Sequence, residues 1–308
     1  MAHVEAAPLQ VNRTIAAAGA ILLYATAIGF TDNYVRVIAA EISLWQFHAM
    51  RTLFVLVLAA VLIPFLQTDL RPRNLHAVAA RSLVHGMALM FYFAALGFLS
   101  VAQAAAGLFT APIFVLLISR FAYGQRIGPF RIAAVALGFL GILLVLGPGK
   151  QEPITWISAV PLISGFFYAL GNVATRRWCA GESALVLTLG FFVAMGALGL
   201  LGMLVLAVFP QAAGAGSAGF LLRGVTMPSA EVVFWVFVQA AGSLLGVAAM
   251  VRAYQLADAS RVAVFEYVVL PVAALWGFVL WGDMPGAVAV LGMVLIFASG
   301  LLIALRGK

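Results

Sequence analysis

Apolar residues run almost unbroken through ten segments of this chain, separated by short polar turns. A helix that crosses hydrocarbon needs roughly 20 predominantly apolar residues, because only a structure that satisfies its own backbone hydrogen bonds survives there. The runs predict spanning helices at Arg13–Val35, Ile42–Leu66, Ala79–Leu99, Val101–Phe121, Gly128–Gly147, Thr155–Arg177, Ala184–Phe209, Ala230–Leu256, Arg261–Trp281 and Gly286–Leu305. Helix breakers and polar residues at Arg71 to Asn74, Gly147 to Lys150 and Gly282 to Gly286 mark turns between them. The stretch from Gln211 to Ser229, rich in Gly, Ala and Ser, reads as a longer mobile loop.

Composition sharpens this picture. The 308 residues are 65% hydrophobic and 9% charged, with a mean hydropathy of +1.14, too little polar material to cover a water-soluble fold. A net charge of +7 could point to nucleic acid, but the charges sit in short loops rather than on one basic face, so nucleic acid is excluded as a partner. They report topology instead. Arg71, Arg73, Arg120, Arg126, Arg176 and Arg177 fall on the side that carries both termini, against Arg36, Lys150 and Arg223 on the other, which predicts cytoplasmic termini. The first run is long enough to span and lacks the features of a signal peptide, so it is expected to be retained. One cysteine, Cys179, excludes an internal disulfide and a cysteine-rich metal cluster, and no cofactor is implied.

A weak repeat divides the chain near Lys150. Ala94–Pro112 aligns without gaps on Ala253–Pro271, and the same offset sets Gly141 on Gly300. Residues 1–150 and 151–308 therefore read as two five-helix halves. An odd number of crossings sends the second half in upside down, giving an all-α integral membrane fold of ten helices in two inverted repeats, with a site expected at the midplane between them.

At this point the chain resembles the EamA branch of ten-helix carriers in the drug/metabolite transporter superfamily over essentially its whole length. The resemblance is carried by Phe30 to Arg36, by the segment SLWQFHAMR ending in Arg51, by Phe109-Thr110-Ala111-Pro112, and by GFLGILLVLGPG from Gly138 to Gly149. One departure stands out: Gly124-Gln125 replaces the glycine-glutamate pair of many members. The resemblance implies a carrier of a small metabolite in the bacterial inner membrane. It identifies fold better than cargo.

Candidate groups are the polar side chains inside helices, which are costly in lipid and so face the protein or a wet cavity. Tyr24, Ile28, Thr31 and Asp32 share a stripe of the first helix; Asp32 could hold an ammonium or a proton, or pair with Arg36 or Arg51. Arg51 and His48 share a face of the second helix, where the arginine could meet a carboxylate or brace the scaffold. His85, Leu89 and Tyr92 form the preferred lining stripe of the third helix. In the second half Ser164, Tyr168 and Asn172 line the sixth helix, and Trp235 and Gln239 the eighth, with Gly242 and Gly246 reserved for helix packing. Glu266 is the most buried-looking carboxylate, able to carry a proton or to pair with Arg261, Arg252 or Tyr267.

The expectation is a secondary carrier for an amino-acid-like compound, working in the export direction. Tyr24, Tyr92, Tyr168 and Tyr267 would stack on the cargo, and His85, Asn172, Gln239 and Glu266 would orient it. Proton coupling through Asp32 or Glu266 is separable from this. Two other classes stay open: an enzyme on a lipid-linked substrate, for which no nucleophile or metal cluster is visible, and a passive channel or structural subunit. The partners are then a small-molecule substrate and the lipid bilayer. Oligomeric state is not fixed by the sequence, and a monomer is compatible with it.

Overall fold

The computed structural model describes residues 6–66, 70–95, 107–146 and 160–306. Among them every regular element is helical. The α-helices are α1 (Ala6–Asp32), α2 (Val35–Glu41), α3 (Leu44–Leu66), α4 (Leu75–Ala95), α5 (Ala111–Phe121), α6 (Pro129–Leu146), α7 (Val160–Arg177), α8 (Ala184–Val208), α9 (Ala230–Leu256), α10 (Ala259–Phe265), α11 (Val269–Trp281) and α12 (Ala287–Arg306). A 3-10 turn at Glu266–Val268 joins α10 to α11. Six stretches among the described residues are long and apolar enough to cross a membrane: Arg13–Glu41, Leu44–Phe65, Ala184–Val208, Ala230–Leu256, Ala259–Trp281 and Ala287–Leu305. Shorter apolar helices occupy Ala111–Phe121 and Pro129–Val145.

Local chemistry sets the helix ends. Ser183 and Ser229 cap α8 and α9, their hydroxyls accepting from the backbone N–H of Leu185 and Val232 at 3.2 Å each. Proline opens α5 and α6, where its missing N–H costs nothing. Gly282 closes α11 at φ 73°, a left-handed conformation that a side chain resists.

Packing rests on small residues, because lipid supplies no hydrophobic drive between helices and close van der Waals approach must take its place. On α8, Gly196 lies against Thr52 and Gly199 against the Trp45 carbonyl of α3; a Cβ on either would stand 2.7 Å from its neighbour. Gly242 and Gly246 of α9 take Thr31 and Ile28 of α1, the packing role expected of them. The main pairings are α1 with α9 and α11, α3 with α8, α4 with α7 and α8, α5 with α7, α3 with α9, and α6 with α12.

The connections gather at two ends. At one, Asp258 meets Arg131, Arg176 and Arg261, Glu182 accepts from the backbone N–H of Arg73 and Asn74, and Arg177 sits over Tyr123. At the other, arginine-poor end, the predicted free loop is tied down instead. Phe220 is buried, its carbonyl accepts from Leu44 N–H at 2.7 Å, and Gln46 exchanges two hydrogen bonds with the Thr226 backbone at 2.7 and 3.0 Å. Arg223 adds bonds to the carbonyls of Ala39, Ile42 and Gly216. Composition announced a loop but not these backbone partners.

Candidate functional site

Two polar layers lie between the helices. The first is near the arginine-poor end, where α1 finishes at Asp32. Gln239 of α9 donates from Nε2 to Asp32 Oδ1 at 2.7 Å. Its Oε1 accepts from Ser243 Oγ at 2.5 Å and from Arg51 Nη1 at 3.4 Å. Arg51 Nη2 meets His48 Nδ1 at 3.0 Å, and its guanidinium lies 5.0 Å from the Phe47 ring centre and 5.4 Å from that of Phe192. Arg51 is 6% exposed and Gln239 2%, whereas Asp32 is accessible. Neither ion pair considered for Asp32 forms among the described residues: Arg36 instead meets Asp283 at 3.8 Å and stacks over Trp281.

The second layer is about 12 Å deeper, since Tyr24 stands eight residues from Asp32 and a helix rises 1.5 Å per residue. Tyr168 is its centre. The Tyr168 hydroxyl lies 3.3 Å from Glu266 Oε1, 3.2 Å from Met250 Sδ and 3.4 Å from the Tyr24 hydroxyl. Asn172 Nδ2 donates to the Tyr254 hydroxyl at 3.0 Å, and Tyr254 faces the same carboxylate. Glu266 is 5% exposed and has no basic partner among the described residues, so tyrosine hydroxyls satisfy it rather than Arg261, Arg252 or Tyr267. A carboxylate ringed by phenols and a thioether offers hydrogen-bond acceptance and aromatic faces to a cation or a proton.

The other predicted residues take different places. His85 is wedged against Gly171, its ring 4.7 Å from that of Tyr168 and 5.3 Å from that of Phe191, at the seam of α4, α7 and α8. Tyr92 is half-buried with its ring edge-on to Phe93. Trp235 stacks on Tyr34 at 3.4 Å. Ser164 donates to the Ala88 carbonyl at 2.7 Å, a helix-packing bond. Tyr267 is not brought to the layers: it turns to α6 and α12, packing over Gly138 and beside Ser299. Neighbours in sequence cannot share one face of a helical turn, so placing Glu266 inward sends Tyr267 outward.

Tyr254, Met250 and Ser243 join the layers without having been picked out. The signal was available, because Gln239, Ser243, Met250 and Tyr254 continue one face of α9 past the glycine pair. Two apolar grooves of about 520 and 570 Å³, between α3 and α8 and between α5 and α6, are lined by residues such as Leu53, Leu200 and Phe121 and include none of the two layers' hydrogen-bonded groups.

This arrangement, polar groups from both parts of the chain held inside a helical membrane bundle, has known relatives. Residues 15–147 match the model of the EamA-like transporter family. This stretch, somewhat under half of the chain, is similar to the EamA-type carriers of the drug/metabolite transporter superfamily. The chain is similar to an uncharacterized transporter of Helicobacter pylori, 26% identical over 92% of this chain and 93% of that protein. A riboflavin transporter of Rhizobium johnstonii is 29% identical over 69% of this chain and 64% of its own. A pseudopaline exporter of Pseudomonas aeruginosa is 26% identical over 71% of each. One crystal structure superposes with a TM-score of 0.77 over 94% of this chain and 96% of that one, at 17% identity, a likeness of fold alone. The long apolar helices and the match to a transporter family model support a multi-pass membrane transporter rather than an enzyme.

Proposed function

We propose that this transporter is a ten-span secondary carrier of two inverted five-helix halves, 1–150 and 151–308. On this reading it exports a small amino-acid-like metabolite across the bacterial inner membrane by alternating access, with both termini cytoplasmic. The observation that carries it is where the polar layers lie. Asp32 to Gln239, Arg51 to Gln239 and Tyr24 to Tyr168 each join the first half to the second. Rocking of one half against the other would make and break these contacts, which is how such carriers expose a midplane site to either face.

The packing supports the inversion. Number the predicted spans in chain order, so that α1 with α2 is the first and α10 to α11 the ninth. Exchanging each span with the one five places on then carries the α1–α9 pairing onto α4–α7, α1–α11 onto α5–α7, and α4–α8 onto α3–α9. The α3–α8 and α6–α12 pairings map onto themselves. The same offset sets the turn at Gly107–Thr110, where Thr110 Oγ1 donates to the Gly107 carbonyl at 2.6 Å, on the break at Glu266–Val268. Interrupted helices beside the site are a recurrent transporter device.

Tyr24, His85, Tyr92, Tyr168, Asn172 and Gln239 are the proposed lining. Asp32 and Glu266 are the candidate proton carriers, with Arg51 as charge partner. Tyr267 belongs to the supporting wall. Export is favoured by the exporter among the relatives. Purified protein in liposomes tests the reading: saturable, competable flux is expected, and linear flux with no competition would leave a passive pore. Labelling that put Lys150 on the same face as the termini would overturn the inversion.

A further inference from the structure

The layer at the arginine-poor end is built in a way the carrier reading alone does not require. Asp32 and Arg51 are opposite charges from α1 and α3, yet no ion pair forms between them among the described residues. The Gln239 amide stands between, its NH2 donating to the carboxylate at 2.7 Å and its carbonyl accepting from the guanidinium at 3.4 Å. A primary amide is a neutral donor and acceptor carried by one carbon. The headgroup of an α-amino acid is the charged version of the same pair, an ammonium donor two bonds from a carboxylate acceptor.

Arg51 is under-satisfied in its surroundings. It is 6% exposed, yet its two hydrogen bonds go to the neutral Gln239 and to His48, and its Nε has no partner. His48, 0% exposed, also has an unpartnered Nε2 beside it. A buried guanidinium with neutral partners is costly, and a carboxylate is the ligand that relieves it. Asp32 is accessible and uses one oxygen on Gln239. Ile28, one turn below Asp32, and Tyr92, close to its carboxylate, offer apolar surface for a side chain on the deeper side.

We propose that Asp32, Gln239 and Arg51 form the headgroup site for a zwitterionic α-amino acid, with the ammonium on Asp32 and the carboxylate on Arg51. Gln239 is an internal competitor that holds both charges apart and yields them to the ligand. This rests on the carrier reading and deepens it: it names which groups of the cargo are read, and by which residues.

The test is binding to the purified full chain by thermal stabilisation, using each of the twenty common L-amino acids as probe, followed by the decarboxylated amine and the deaminated acid of the strongest one. One or more amino acids should bind saturably, and both truncated analogues should bind at least about 100-fold more weakly, since the amine leaves the buried Arg51 without a carboxylate and the acid leaves Asp32 without an ammonium. Asp32→Asn and Arg51→Gln should lose binding to the same extent while eluting as monodisperse protein. Gln239→Ala and Gln239→Leu should bind more tightly than the parent, because the competitor is gone. Binding of either analogue as tightly as the parent amino acid overturns the proposal. So does weakened binding in both Gln239 variants when they elute as monodisperse protein, which would make the amide a scaffold group. If no amino acid binds while liposomes show saturable flux of another compound, the zwitterion site fails and the carrier survives; if no compound shows saturable flux, the carrier reading itself fails.

Discussion

The crossing of α6 and α12 gives a stability prediction whose size can be worked from the geometry. A Cβ on Gly141 would stand 2.7 Å from the Gly292 carbonyl oxygen and 2.9 Å from Ile296 Cγ1. A Cβ on Gly292 would stand 2.5 Å from the Gly141 oxygen and 2.8 Å from Val145 N. Much of each clash is with backbone, so no rotamer change relieves it, and the helices must part by roughly half an ångström or more to restore van der Waals distance. A gap of that size forfeits a quarter to a half of each contact along the crossing, and overpacking of this kind costs about 1–3 kcal/mol. Gly141→Ala should therefore lower stability in detergent by that amount, read as the midpoint of thermal or denaturant unfolding. The double variant with Gly292→Ala should cost less than the two single losses added, because one separation relieves both clashes. A Gly141→Ala protein as stable as the parent, or strictly additive losses, would refute the close-crossing argument.

Three further outcomes follow from local chemistry. Cys179 is 1% exposed and burial lifts its thiol from 9.0 to about 11, so the thiolate that reacts is about 100-fold scarcer at neutral pH than in an ordinary thiol. Maleimide labelling should be slow at pH 7 and accelerate steadily toward pH 10, and fast labelling at pH 7 would contradict the burial. Gln46→Ala removes two hydrogen bonds to Thr226, about 2 kcal/mol together, so protease cutting within residues 211–229 should rise about 30-fold; an unchanged rate would mean the loop is held elsewhere. Glu266→Gln keeps an oxygen for the Tyr168 hydroxyl and removes the titrating proton, so exchange flux should persist while flux driven by a pH gradient is lost. Gradient-driven flux that matches the parent would release the glutamate from coupling.

How much of this was legible in the sequence depends on whether the information was periodic or pairwise. Helices show as runs of apolar residues because the bilayer imposes their length, and Asp32, Arg51, Gln239 and Glu266 stand out because each is expensive in lipid. Their partners do not show. Asp32 was weighed against Arg36 and Arg51, the nearest cations by spacing, whereas its hydrogen-bond partner is an amide 207 residues away. Tyr267 reads as a lining residue beside Glu266, yet successive residues of a helical turn point in different directions, so only one of the two reaches the layers. The Gln211–Ser229 loop reads as loose by composition, since glycine and alanine reveal nothing about the backbone N–H groups of Thr226 and Ser229 that find acceptors on Gln46 and Glu41.

The ion pairs that join residues 1–150 to residues 151–308 differ between the two ends of the bundle, and on the proposed carrier reading this bears on its resting state. At the arginine-poor end the single ion pair between these two parts among the described residues is Arg36 to Asp283, at 3.8 Å with side chains 51% and 65% exposed, a pair worth little in water. At the arginine-rich end Asp258 holds Arg131 at 3.4 Å, Arg176 at 3.1 Å and Arg261 at 3.8 Å. Arg131 precedes residue 150, has a side chain only 9% exposed and also donates to Ser260 Oγ at 2.9 Å, so release would leave a nearly buried cation short of its anion. One-third exposure of Asp258 trims the gain to about 1–2 kcal/mol, which still shifts a two-state equilibrium by roughly tenfold. Asp258→Asn should therefore favour opening at that end. With Cys179→Ser as background, Ala263→Cys, at a position 1% exposed on α10, should label about tenfold faster from the arginine-rich side once Asp258→Asn is added. If labelling is unchanged, the arginine hub is not what closes that side, and the resting state must be set by helix packing instead.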